Sequence, residues 1–205
     1  MLVNVYRNKL LQAVLYFAKN TKSLSTTKLA KLLYFLDFQH FQQTGYPCIG
    51  LKYYAFKNGP LPREFWAEVK DGEVPEDFKG KLTLSRRADE LNPMFKEITF
   101  SARINPDLSV FSPREQTIMQ DLAFIYKEAK AVDISEVSHL PKQPWDMTYK
   151  REGDKSLIDY MLIFDEKAGV EREEAKQSLK EHFEAVSNFR LHPAKYHLCS
   201  VAANN

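Results

Sequence analysis

Cys48, His40 and His139 are residue types that can make a nucleophile and its base, and His192, His197 and Cys199 are types that can ligate a metal ion. A cysteine attacks as its thiolate, so such a pair needs an imidazole to take the proton. Cys48 stands in an apolar turn after Tyr46 and Pro47, where burial raises a thiol's pKa and leaves it inert. The three residues near the end are spaced by five and two positions, which matches no established zinc pattern. The sequence holds no P-loop, no dinucleotide glycine fingerprint, no nucleophile elbow and no H-E-x-x-H. No catalytic residue, metal site or cofactor is assigned, and the expectation is a protein that is not an enzyme.

The elements that must position these residues are mainly helical. Leu29, Leu32, Leu33, Leu36 and His40 repeat at helical spacing, and Tyr34, Phe35, Phe38 and Phe41 widen that face around most of the circumference. The helix so predicted starts at Ser25 or Thr26, either of which can cap it, and is stopped by Gly45 and Pro47. A helix this apolar is central. Before it, Tyr6, Leu10, Val14 and Phe17 predict a helix over 3–19, and a connection over 21–25 this short makes the two antiparallel neighbours. After it, 51–57 reads as a strand with Tyr53 and Ala55 on one face and Tyr54 and Phe56 on the other. Asn58-Gly59-Pro60 turns the chain, and Pro62 opens a short helix over 63–70.

Further on, strands over 81–86 and 95–102 flank a turn at 89–93 and form a hairpin to which the 51–57 strand can add. Ser112-Pro113 with Glu115 opens a helix over 113–130 that buries Ile118, Leu122, Ile125 and Tyr126. Asp133 caps a short helix ending at Ser138, 148–154 reads as charged and exposed, and 157–164 fits strand or helix equally. A last amphipathic helix over 170–188 carries Ala175, Leu179, Phe183 and Val186 on its apolar face, and 190–205 reads as a tail. The fold class is therefore α+β: mainly helical, with a small antiparallel sheet at one side and an additional C-terminal helix.

The chain has 205 residues, 44% hydrophobic and 27% charged, enough for a real core and ordinary for a soluble globular protein. No apolar run approaches the ~20 residues of a membrane helix. The N-terminal stretch lacks the apolar core and cleavage site of a secretion signal, which gives a cytoplasmic expectation. Cys48 and Cys199 read as free thiols. The net charge of +2 hides an asymmetry: residues 1–63 carry nine Lys or Arg against the single acid Asp37, a net of +8, leaving −6 for the rest. Such a basic segment can steer an acidic partner or a nucleic acid, or simply solvate two helices. Tyr53, Tyr54 and Phe56 between Lys52 and Lys57 superficially suggest a stacking platform for bases. Half of that set falls on the core face, no nucleic-acid-binding signature accompanies it, and nucleic acid is not the expected partner.

Two blocks carry a resemblance. The first runs Lys28-Leu29-Ala30-Lys31-Leu32-Leu33-Tyr34-Phe35-Leu36-Asp37-Phe38, then Gly45-Tyr46-Pro47, then Tyr53 and Ala55-Phe56 ahead of Gly59-Pro60. The second is Asp133-Ile134-Ser135-Glu136-Val137-Ser138-His139 followed by Pro144-Trp145. Their order and separation resemble the Panacea domain, with 1–165 as the Panacea-like domain and 166–205 as a helix and tail packed on it or on a partner.

The resemblance implies an antitoxin of a bacterial or prophage toxin-antitoxin pair that neutralises a cognate toxin by direct contact. It leaves open a proteolytic adaptor delivering a client to a protease, and a nucleic-acid-binding regulator is the third reading. The expected partner-binding residues are Lys31, Tyr34, Tyr53, Lys57 and Arg63 as exposed members of the first block, with His139 and Trp145 from the second. For His139 the alternative is structural: an imidazole that ends its helix, meets a backbone carbonyl and packs on Trp145. Trp145 is core or, if half exposed, an interface anchor. Gly59 and Pro60 read as turn residues.

Overall fold

The computed structural model describes residues 5–88, 96–164 and 171–191. Helix α1 (Val5–Asn20) and helix α2 (Thr26–Thr44) are joined by five residues. The start of α2 is fixed by the Ser25 hydroxyl, which accepts from the Lys28 N–H at 3.3 Å. Its end is fixed by Gly45 at φ +75°, a left-handed conformation that costs glycine nothing. Twelve of its nineteen residues are buried, which makes α2 the axis of the molecule. Around it pack α1, α4 (Pro113–Ile125), α5 (Ala131–Ser138) and strands β2 (Gly59–Pro62) and β4 (Lys96–Ala102).

The core follows from this arrangement. Phe17, Leu32, Leu33, Leu36, Phe41 and Tyr53 are entirely sequestered, and each large apolar side chain so buried contributes about 1.5–3 kcal/mol. Phe38 stacks on Tyr160 at 4.3 Å between ring centroids, and Phe35 stacks on Tyr126 at 5.7 Å.

Two sheets flank the helices. Strand β1 (Tyr53–Phe56) lies between β2 and β5 (Ser156–Leu157), antiparallel to both. Phe56 pairs with Gly59, so Lys57 and Asn58 form a two-residue hairpin turn. Helix α3 (Arg63–Val69) follows β2 directly. The second sheet is the hairpin of β3 (Leu82–Ala88) and β4, tied to the α1–α2 connection by a bond from the Phe100 N–H to the Leu24 carbonyl at 2.9 Å.

Several expectations are corrected. The β1 strand does not join the β3–β4 hairpin, because its edges are taken by β2 and β5. Residues 59–62 form a strand where only a turn was expected. Helix α4 ends at Ile125, which is 63% exposed, so its last turn does not bury that residue. Asp133 does cap α5, from the first turn: its carboxylate accepts from the Lys130 N–H at 2.9 Å.

Residues 148–154 are not a uniformly exposed segment. Helix α6 (Pro144–Glu152) begins at Pro144 and fully buries Thr148. The ambiguous stretch 157–164 resolves into the end of β5 and a 3-10 turn, Tyr160–Ile163.

Helix α7 (Arg172–Leu191) rests on the domain: Ala175 is buried, Phe183 meets Tyr160, and His182 packs edge-on to Tyr6 of α1. The turn at 89–93, the side chain of Val186, and His192, His197 and Cys199 lie outside the described residues.

Candidate functional site

Asp37 organises the ground on which the site stands. It is a carboxylate in the middle of the apolar helix α2, fully buried. Its Oδ1 accepts from the N–H groups of Ile49 (2.6 Å) and Gly50 (3.1 Å). Its Oδ2 accepts from the N–H of Leu51 (3.2 Å) and from the hydroxyls of Tyr53 (2.9 Å) and Tyr160 (3.2 Å). Burial holds the Asp37 pKa above the usual carboxylate value, and the three backbone N–H groups and the Tyr53 hydroxyl oppose only part of that rise. Three backbone N–H groups and the Tyr53 hydroxyl converge on this acceptor-only group, with the Tyr160 hydroxyl, whose single proton also reaches the Leu51 carbonyl at 2.7 Å, beside them; together they fix the path from α2 into β1. Asp37 lies in the block that carries the resemblance, and its signal in the sequence is that it is the single acid among residues 1–63.

Strand β1, placed in this way, turns Tyr53 and Ala55 inward and leaves Tyr54 and Phe56 half-buried, the alternation its pattern implies. The β1–β2 turn is held from beneath by Lys31. Its Nζ donates to the carbonyls of Asn58 at 2.9 Å and Pro60 at 3.0 Å. Burial depresses this ammonium to a pKa of about 7.

The second block arrives at the same turn. The Trp145 indole Nε1–H donates to the Phe56 carbonyl at 2.9 Å. His139, the residue that ends α5, stacks on Trp145 with centroids 4.0 Å apart, and Tyr149 continues the stack at 5.0 Å. Burial, with the Lys31 charge, lowers the His139 pKa.

Gly59 completes the contact. Its φ is +100°, and a Cβ there would lie 2.6 Å from Lys31 Nζ and 2.7 Å from His139 Nε2. The backbone approaches these two groups as closely as it does because no side chain stands between them.

Both sequence blocks thus build one centre: α2 and the β1–β2 hairpin from the first, α5 and α6 from the second. A family model described as Antitoxin SocA-like, Panacea domain matches residues 29–146, which begins in α2 and ends just beyond Trp145. The chain belongs to this family. No curated protein and no solved structure gives a match.

The Panacea domain divides the expected contact residues by exposure. Lys57, in the turn, and Arg63, at the start of α3, are exposed. The Arg63 guanidinium lies 5.8 Å from the Tyr54 ring centroid, and the Tyr54 hydroxyl donates to Glu64 at 3.2 Å. Lys31, Tyr34 and Tyr53 were expected to be exposed and are not, at 2%, 3% and 0%. The reason is that β2 and α5 cover the side of α2 carrying Lys31, and Tyr34 packs against Phe38 and Tyr53. Trp145 is also buried, and His139 is half-buried.

Outside the hairpin, Trp66 of α3 is 37% exposed and went unassigned in the sequence, where nothing distinguished it from a core aromatic. With Lys31, Phe56, Lys57, Leu61 and Asp154 it lines a recess of about 280 Å³ beside the turn.

Other features of the Panacea domain are structural. An open groove of about 860 Å³ is lined by Arg7. That guanidinium bonds Glu68 and Asp77 and lies over the Phe78 ring, so it ties α1 to α3 and the turn after it. Cys48 is buried; burial first, then the charges of Asp37 and Glu115, hold its thiol well above the usual range. His40 Nδ1 is hydrogen-bonded with the Tyr46 carbonyl at 2.7 Å. Among the described residues no group of three His, Cys, Asp or Glu side chains is placed to hold a metal ion, and no helix is long and apolar enough to cross a membrane.

Proposed function

We propose that the protein is a non-enzymatic antitoxin of a bacterial or prophage toxin-antitoxin pair, which neutralises its cognate toxin in the cytoplasm by direct contact. The observation that carries this reading is the convergence of both blocks of the matched family region on one hairpin whose turn, Lys57 and Asn58, is exposed. The family match supplies the class of partner.

The hairpin is a rigid presenting surface. Its backbone is pinned by Lys31 below, Trp145 on one side and Asp154, which accepts from the Lys57 N–H at 2.9 Å. Rigid loops bind without losing much conformational freedom, so more of the contact energy appears as affinity. Lys57, Arg63, half-buried Tyr54 and Trp66 are among the outward side chains of this region, with Asn58 and Glu64 beside them. Aromatic and arginine side chains are the types that dominate interface energetics.

An interface on the order of 1,600 Å² in total is enough to cover a toxin's working surface. Inhibition then needs no chemistry by the antitoxin.

The test is growth of cells that express the adjoining gene of the source genome, with and without this chain. Toxicity relieved by co-expression, with the two proteins copurifying, supports the reading. Relief that depends on a cellular protease and on loss of the neighbour's protein would make the chain an adaptor. Toxicity that persists would reject both.

A further inference from the structure

Lys31 carries a buried amine for which no described residue serves as an acidic partner. Its ammonium has three protons; two go to the carbonyls of Asn58 and Pro60, and no salt bridge among the described residues reaches it. Desolvation is the sole cause of its depressed pKa, so no acidic neighbour offsets the cost of burying the charge.

Lys28, one turn earlier on α2, is the useful contrast. It too is buried and donates to two carbonyls, those of Lys22 (2.9 Å) and Lys127 (3.3 Å), but the charge of Glu128 opposes part of the lowering that burial causes. Lys28 is a staple between two loops. Lys31 holds a loop in the same way and also lines the recess of about 280 Å³ beside the hairpin turn.

We propose that this recess receives the carboxylate of an Asp or Glu side chain of the toxin, which supplies the missing counter-ion to Lys31; this rests on the antitoxin reading above. The walls suit such a side chain. Phe56, Leu61 and Trp66 give an apolar passage for its methylenes, and exposed Lys57 at the rim adds a second positive charge. The acid already at the rim, Asp154, is engaged by the Lys57 N–H and faces Lys155 at 4.0 Å. A single ammonium with one proton to give fits a carboxylate. A phosphate needs several convergent donors.

An ion pair with a partly buried group is stronger than one on the open surface. The basic balance of residues 1–63 attracts an acidic partner surface over a longer range.

Two arms test this on the full chain. In the first, the chain is prepared with ¹³C-labelled lysine, and the Lys31 Cε resonance, assigned through bonds, is followed by NMR as N-acetyl-glutamate N-methylamide is added at millimolar concentrations, with the glutamine analogue as control. A saturable response to the acid alone, with Lys31 titrating at higher pH when it is bound, is the expected result. No response, or an equal response to both compounds, overturns the proposal.

In the second arm the product of the adjoining gene is titrated into wild-type, Lys31→Met and Lys28→Met chains, each first checked by thermal melting. Lys31→Met is expected to weaken binding at least tenfold and Lys28→Met to leave it within about twofold, and in the complex the Lys31 resonance shifts as it does with the acid. Binding insensitive to Lys31 with its resonance unmoved overturns the proposal. Should the acid seat while the neighbour's protein fails to bind the wild-type chain, the carboxylate site is upheld and the antitoxin reading alone falls. The first arm needs no substitution, so a poorly folding variant leaves it decisive.

Discussion

Trp145 donates its indole N–H to the carbonyl of Phe56, 89 positions earlier in the chain, at 2.9 Å. This bond closes α6 onto the last residue of β1, immediately before the exposed turn. Trp145→Phe keeps an aromatic ring on His139 but leaves the Phe56 carbonyl without this donor. A loss of about 1–3 kcal/mol in urea unfolding is expected, with hydrogen exchange of the hairpin amides rising more than that of α1. An unchanged midpoint would show that the bond does not hold the hairpin.

Asp37→Asn tests the carboxylate at the centre. The amide places an NH₂ among donors, so at least one of the three backbone N–H groups and the Tyr53 hydroxyl now pointing at Asp37 loses its acceptor. Removing a buried charge relieves its desolvation, but the orphaned donors outweigh that gain. The expected net cost is about 2–3 kcal/mol, read by denaturant unfolding; a stabilised variant would mean that burial of the charge dominates.

Gly59→Ala puts a methyl group where Lys31 Nζ and His139 Nε2 stand, at a φ of +100° that alanine rarely adopts. A cost of about 2 kcal/mol or more is expected. Gly80, also at positive φ but with open space around its Cβ position, is the control for strain alone. Equal losses at the two sites would refute a specific clash at Gly59.

His182 makes the docking of α7 sensitive to acid. Its imidazole lies 4.6 Å from the Tyr6 ring centroid and against Gly50, and burial, then the charge of Lys9, lowers its pKa to about 4. In the unfolded chain it titrates at an ordinary value near ~6.5. Between these values the unfolded state binds a proton that the folded state refuses, so stability is unaffected above this window and falls as pH falls through it. The loss from this residue is about 2 kcal/mol at pH 5, and His182→Leu should remove that part of the difference between unfolding at pH 7 and pH 5. If the variant loses as much stability on acidification as the wild type, His182 is not the group responsible.

The bounds of α2 were legible because they are local: one hydroxyl at Ser25 and one left-handed glycine at Gly45 decide them. The alternation of β1 was legible for the same reason. What sequence could not supply was partnership at long range. Gly59, Pro60, Leu61 and Pro62 have no strand propensity, and they become β2 because Phe56 and its neighbours offer an edge and Lys31 anchors the carbonyls.

Lys31 itself looked like a solvent-facing lysine, since a charge in an amphipathic pattern normally is one. Its burial depends on β2, α5 and their approach to α2. Residues 148–154 misled in the opposite direction. Their charges masked a helix whose start at Pro144 and burial of Thr148 follow from Trp145 docking onto β1.

The most direct test of direct toxin contact through the hairpin face is a calorimetric titration of the purified product of the adjoining gene into the wild-type chain and into a Lys57→Glu, Arg63→Glu double variant. Both residues are exposed and neither supports the core, so the variant should melt with the wild type. A saturable wild-type isotherm and binding at least tenfold weaker in the double variant is the result expected. Equal affinity of the two chains would place the toxin elsewhere on the molecule and contradict the account.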